Sequence, residues 1–331
     1  MSIGRPWRRA WRAAGAGIAL CLATAVPAVG ATASSGGHPA AGCTEGLTTV
    51  AVPLAAGRPR VTDDRVDVLL PSGYCSSAQR YPVLYLLHGA GDTYQSWSAN
   101  TDLVAFARSY RMVIVMPDGG HNSQTGWYSN WLDGEYQWET YHTQVLPRYI
   151  DSHYRVLGRD IAIAGLSMGG FGALSYAARH PGTYRVAASF SGAVDTLYAA
   201  PLTGVVFAFL RSQYGTPDAR IWGDQLTDEP IWAAHNPTSL APRLAGTELL
   251  LASGTGTPAG PAGDQLSNPG GYALENGIFQ MNLSLVAALD RAGVAHHDDF
   301  YLGGYHGWPY WQADLHWALP QIARALGPPR P

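Results

Sequence analysis

The chain has 331 residues and a formal net charge of -3 at pH 7, with 47% hydrophobic and only 14% charged residues. That length suits one large domain or two small ones, and an acidic chain with no basic patch excludes nucleic acid as an expected partner. None of the 21 basic residues is a lysine, which excludes a lysine nucleophile or Schiff base.

In chain order, residues 1–12 carry Arg5, Arg8, Arg9 and Arg12 and no acid, residues 13–29 are apolar, and Ala31-Thr32-Ala33 is a small-x-small cleavage pattern. This predicts a secretory signal peptide over residues 1–33. Gly15, Gly17, Pro27 and Gly30 break the run below the ~20 apolar residues a bilayer needs, so stable membrane insertion is not expected. Removing the four arginines takes the net charge from -3 to -7 for an expected exported domain over 34–331. Cys43 and Cys75 remain in that domain, and in an exported protein such a pair predicts a disulfide rather than a metal site.

Short apolar runs ended by Gly, Pro or Ser predict strands at 66–70, 83–87, 112–116, 161–166, 186–190, 249–252 and 299–302. Segments of helical period lie near 101–109, 138–150, 167–179, 278–292 and 311–326. Strands alternating with helices, most of them apolar throughout, predict a single-domain α/β protein with a mainly parallel sheet covered by helices on both faces. Residues 193–244 read as an insertion over one end of the sheet. Residues 254–271, "GTGTPAGPAGDQLSNPGG", read as a long polar loop of the kind that is often functional.

Gly165-Leu166-Ser167-Met168-Gly169 matches G-x-S-x-G, for which chance alone predicts about 0.3 occurrences in this composition, so the pattern is weak by itself. Its context is stronger: it follows a buried strand and opens a helix, the position of the nucleophile elbow in the α/β-hydrolase fold. Ser167 as an ordinary helix cap would explain neither flanking glycine. In that fold "YPVLYLLHGAG" supplies an oxyanion hole, with the Ala90 and Met168 amides converging on the developing charge. The base follows the last strand, which selects His306 in "GGYHGWPYW". His88 reads as a structural histidine orienting the oxyanion turn or as a cleft residue. His296 and His297 precede the strand, His316 falls within a helix, and His121 and His142 come before the serine. For the acid, Asp264 and Glu275 both follow the strand at 249–252, Asp195 is an outsider, and spacing does not decide. Trp127, Tyr128, Trp131, Tyr136, Trp138 and Trp308 are candidates to line an acyl or sugar cleft or to pack a long loop.

These segments together resemble the esterase family that includes feruloyl esterases and S-formylglutathione hydrolases, and within it the antigen 85 mycolyltransferases. "WETYHTQVLPRYI", "IWAAHNPTSLAPRL", "GTGTP", "ALEN" and "YHGWPYW" look like antigen 85 segments in the same order, from residue 83 to about 320. The resemblance implies Glu275 as the acid, and so a triad of Ser167, Glu275 and His306. It implies a secreted or cell-wall-associated serine esterase or acyltransferase with no cofactor and no metal. Its partners would be an acyl ester and a sugar or glycerolipid acceptor, and the expected state is a monomer. The family also has members that lost the triad and bind matrix or cell-wall carbohydrate, which leaves a non-catalytic binding protein as the alternative. Two departures stand out. The antigen 85 proteins carry an aspartate where His88 stands and an arginine where Gly91 stands, both at the trehalose site, and a cysteine pair before the "WET" segment that is missing here.

Overall fold

A computed structural model of the chain describes residues 43–198, 208, 211, 218–258 and 268–331. The expected leader at 1–33 and the candidate acid Asp264 lie outside these residues. Eight strands form one sheet in the order β1-β2-β4-β3-β5-β6-β7-β8. They are β1 Gly46–Ala51, β2 Arg65–Leu70, β3 Tyr81–Leu87, β4 Val113–Pro117, β5 Val156–Leu166, β6 Val186–Phe190, β7 Glu248–Gly254 and β8 His297–Tyr301. β2 runs antiparallel to both β1 and β4, while β4, β3, β5, β6, β7 and β8 are parallel. The alternating pattern predicted such a mainly parallel sheet, and the order is that of the α/β-hydrolase fold expected from the serine turn.

The parallel centre is buried on both faces because each strand is apolar at successive positions. In β3, Val83, Tyr85 and Leu87 point into one core with Trp127, Phe171 and Leu251, while Leu84 and Leu86 point into a second with Trp97, Leu166 and Leu315. The edge strand β1 was not anticipated. Its "GLTTVA" alternates half-buried and exposed residues, a weak apolar signal that only pairing with β2 turns into a strand.

The described residues form the α-helical segments α1 Ser96–Asn100, α2 Leu103–Phe106, α3 Trp138–Thr140, α4 Leu146–His153, α5 Met168–Arg179, α6 Asp218–Trp222, α7 Glu229–Ala233, α8 Pro269–Ala292 and α9 Trp308–Leu326. A π-turn, Tyr141–Val145, joins α3 to α4. α5 packs against β3, β5 and β6 on one face and α9 against β5, β6 and β7 on the other. α8 starts well before the helix expected at 278. Asn268 caps it by accepting from the Gly271 N–H, Pro269 occupies the first turn, and Gly293 ends it at φ 67°. Gly270 and Gly271 had made this stretch look like loop, yet the added turns are the ones that carry Glu275. Cys43 and Cys75 are joined, with Cα atoms 5.8 Å apart. No helix among the described residues is long and apolar enough to cross a membrane.

Candidate active site

β5 ends at Leu166 and α5 begins at Met168, so the chain must reverse at Ser167, which takes φ 52° and ψ -118°. A non-glycine residue held there costs ~1–3 kcal/mol, and the surroundings fix it. The Ser167 N–H donates to the Phe190 carbonyl at 2.9 Å, and its own carbonyl accepts from Phe171 N–H at 3.1 Å. Gly169 is required by crowding: a Cβ there would sit 2.6 Å from both the Leu87 and the His88 carbonyl oxygens. That contact also brings the turn after β3 against the first turn of α5. Ala90 of that turn keeps some exposure and Met168 is buried. Met168 opens a 12-residue helix, whose first N–H groups lack intrahelical partners and favour developing negative charge.

His306 Nε2 lies 2.8 Å from Ser167 Oγ and its Nδ1 lies 2.7 Å from Glu275 Oε2. A carboxylate only accepts, so Nδ1 donates to Glu275 and Nε2 is left to take the serine proton. The His306 N–H donates to the Gly271 carbonyl at 3.1 Å, and the Trp311 ring stands edge-on to the imidazole at 4.9 Å. The histidine loop is thereby tied to both α8 and α9.

Glu275 is 1% exposed, a buried carboxylate that needs partners for every lone pair it can satisfy. Its Oε1 accepts from Ser191 Oγ at 2.7 Å, the Gly254 N–H at 2.9 Å and Ser253 Oγ at 3.1 Å. Ser191 follows β6, and Ser253 and Gly254 end β7, so the strand ends hold the acid that α8 delivers. These donors were missed in the sequence; the one local signal was a serine at the end of each of two adjacent predicted strands. Behind this group Asp314 is buried, and burial, then the neighbouring Glu275 charge, push its carboxyl well above the usual range. Burial also pushes Asp92 up, in the turn after β3.

The other candidates go elsewhere. Asp195 accepts from Asn236 Nδ2 at 3.0 Å and Ser284 Oγ at 2.6 Å, bracing the segment after β6 rather than His306. His296 pairs with Asp298 at 2.8 Å and with Asp290 at 3.3 Å, and His316 pairs with Asp102 at 2.8 Å while stacking on Phe106. His121 lies 4.0 Å from Asp118. Among the described residues no group of three or more His, Cys, Asp or Glu is arranged to hold a metal.

Among the cleft candidates Trp308 is half-buried, against Trp97 and Trp311, and the others are buried. His88 is 1% exposed, with both ring nitrogens on backbone groups. Trp131 is 3% exposed, edge-on to Tyr136 and beneath the Arg220 guanidinium. Both side chains are therefore buried, His88 in the position expected of a structural histidine and Trp131 within the core. Trp127, Tyr128, Tyr136 and Trp138 are buried too, and Trp127 packs on Phe171 one turn beyond the serine. The aromatic loop thus supports α5 from behind, because side chains that large are better removed from water than left at a rim.

Comparison with known proteins gives a consistent picture. The Esterase family model, described as "Putative esterase", matches residues 62–322. The diacylglycerol acyltransferase/mycolyltransferase Ag85A of Mycobacterium bovis (strain BCG / Pasteur 1173P2) is 30% identical over 316 residues, covering 91% of this chain and 87% of that protein. Among solved structures, Mycobacterium tuberculosis MPT51 superposes with a TM-score of 0.66 at 23% identity, covering 86% of this chain and 100% of that one. An S-formylglutathione hydrolase from Agrobacterium tumefaciens follows with a TM-score of 0.60 at 20% identity, covering 80% and 90%. At those identities the two structural likenesses concern the fold.

Proposed function

The chain belongs to the esterase family, and on that premise we propose that it is an exported serine acyl-ester enzyme working through a Ser167-His306-Glu275 triad. The observation that carries the reading is the unbroken line from Ser167 Oγ to His306 at 2.8 Å and from His306 to Glu275 at 2.7 Å. Ser167 Oγ attacks the ester carbonyl as His306 Nε2 takes its proton, and Glu275 stabilises the resulting imidazolium. Charge gathers on the carbonyl oxygen, where the Ala90 and Met168 amides receive it. Collapse of the tetrahedral intermediate breaks the bond to the alcohol, which leaves with the proton from His306. Water or a second alcohol then attacks the acyl-serine, gives its proton to His306 and releases free acid or a new ester.

Export is supported by the leader pattern at 1–33 and by the joined Cys43 and Cys75, since disulfides persist in oxidising compartments. The second reading, an acyltransferase acting on diacylglycerol or mycolyl esters, is favoured by the likeness to Ag85A. Transfer needs a site that holds the acceptor, because water at ~55 M wins unless proximity gives the alcohol a large effective concentration. Where the antigen 85 resemblance places an aspartate and an arginine, this chain has His88, which is buried, and Gly91, which has no side chain, so neither offers a charge to a sugar. Hydrolysis of short to medium acyl esters is therefore expected to dominate, with trehalose a poor acceptor. The test is a screen of p-nitrophenyl esters across chain lengths, with and without trehalose. Free acid as the main product supports hydrolysis, acyl-trehalose as the main product restores the transferase, and no turnover of any ester indicates a non-catalytic binding protein.

A further inference from the structure

We propose that His88 is the positioning residue of the oxyanion hole: a neutral imidazole protonated on Nδ1 that clamps the Gly89–Ala90 peptide and so aims the Ala90 N–H at the reacting carbonyl. This rests on the reading of Ala90 as an oxyanion donor. The Gly119 N–H lies 2.7 Å from His88 Nε2, and the Gly89 carbonyl oxygen lies 2.8 Å from Nδ1. An amide N–H only donates and a carbonyl only accepts, so Nε2 accepts and Nδ1 donates; no other protonation state satisfies both. Asp118 Oδ2, at 4.0 Å from Nε2, is beyond hydrogen-bond distance.

The consequence follows from peptide geometry. In a trans peptide the C=O and the N–H point in opposite directions, so fixing the Gly89 oxygen on the imidazole fixes the Ala90 N–H on the other side. Donation into that C=O also polarises the peptide and makes the Ala90 N–H a better donor. The preceding peptide is held as well. The His88 carbonyl accepts from Tyr128 Oη at 2.9 Å, and the Gly89 N–H donates to Asp92 Oδ2 at 3.2 Å. A Cβ placed on Gly89 would lie 3.5 Å from Ser167 Cβ, so the clamped peptide stands directly beside the nucleophile. With His88 almost wholly buried, no water competes for either bond.

Two substitutions separate this role from mere packing. An asparagine amide reaches the place of Nδ1 and still donates to Gly89, whereas a glutamine reaches the place of Nε2, accepts from Gly119 and leaves the Gly89 carbonyl with only the longer bond from the Asp92 N–H at 3.4 Å. His88→Gln is expected to lower kcat ~100-fold with KM little changed, and to weaken an aryl trifluoromethyl ketone, which forms an oxyanion on Ser167, by the same factor. His88→Asn is expected to lose less than ~10-fold, since it keeps the donor that matters. Equal losses in the two variants, or the larger loss in His88→Asn, overturn the proposal. Should neither variant fold, nitrogen NMR of the wild-type imidazole decides: Nδ1–H with a bare Nε2 supports it, while Nε2–H or a doubly protonated ring overturns it. Failure of the triad would appear separately, as activity surviving in Ser167→Ala with this tautomer unchanged.

Discussion

His306 and His142 are built alike at their ring nitrogens and differ in what stands behind them. His306 has Ser167 Oγ on Nε2 and the Glu275 carboxylate on Nδ1. His142 has Tyr176 Oη on Nδ1 at 3.1 Å and the Asp118 backbone carbonyl on Nε2 at 2.8 Å. Each is a hydroxyl, an imidazole and an acceptor in line. The acceptor of His306 carries a full charge, so a proton moved onto that ring meets a counter-ion. The acceptor of His142 is a neutral carbonyl, and burial pushes that imidazole down to about 3. A hydroxyl beside a histidine is therefore not enough to make a nucleophile; the group behind the ring decides whether it can become a cation.

The largest effect expected is loss of the hydroxyl on the charged side. Ser167→Ala should lower ester turnover by as much as ~10⁶ while leaving the thermal unfolding profile intact. Activity within tenfold of the wild type would remove Ser167 from the mechanism. Next is the acid itself. Glu275→Gln gives His306 a neutral acceptor, as His142 already has, and should cost ~10⁴ in kcat by analogy with the buried aspartate of related triads. Asp264→Asn should stay close to normal, and the opposite ranking would move the acid into the loop.

On the neutral side the comparison is broken by pH rather than by rate. His142 binds a proton near 6.5 when unfolded but only near 3 when folded, because burial penalises the charged ring. Between those values the unfolded chain holds the extra proton, so the contribution of His142 to stability is complete above about 6.5 and is lost as pH falls toward 3. Denaturant unfolding from pH 7 to pH 4 should show stability falling in that window. In His142→Gln, which keeps an amide donor and acceptor, the slope should be shallower by about one proton. An unchanged slope would show that His142 takes up its proton in the fold as readily as in the unfolded chain.

How much of this was legible follows from how far each signal travels along the chain. The elbow is local: glycines at 165 and 169 bracket one serine between an apolar run and a small-residue helix, so the crowding that requires them is written in consecutive residues. His306 was legible from chain order, since β8 precedes it closely. Glu275 was not legible from spacing, because it sits on a helix whose opening turn reads as the end of a polar loop; the antigen 85 resemblance selected it. The braces were invisible for a different reason. Tyr176 meets His142 from 34 residues away and Ser191 meets Glu275 from 84, and no periodicity records such pairings. The aromatic loop was ambiguous because large rings serve a cleft or a core equally well until the backbone turns them inward.

The smallest effect concerns those braces and separates orientation from stability. Ser191 holds φ 46°, a conformation unfavourable for a serine, and its hydroxyl makes the shortest of the three bonds to Glu275 Oε1. Ser253 is the weaker brace, since its single proton is divided between Glu275 Oε1 at 3.1 Å and the Gly254 carbonyl at 3.1 Å. Removing one neutral donor from a charged acceptor is worth ~1.5–3 kcal/mol, but two donors remain on the same oxygen, so Ser191→Ala should lower kcat only ~10-fold and Ser253→Ala less. Ser191→Gly sharpens the test. Glycine accepts positive φ freely, so this variant relieves strain while removing the same hydroxyl. It should match Ser191→Ala in kcat yet unfold at a higher temperature than Ser191→Ala. If the glycine variant instead recovers wild-type kcat, the backbone conformation and not the hydroxyl is what holds Glu275 against His306.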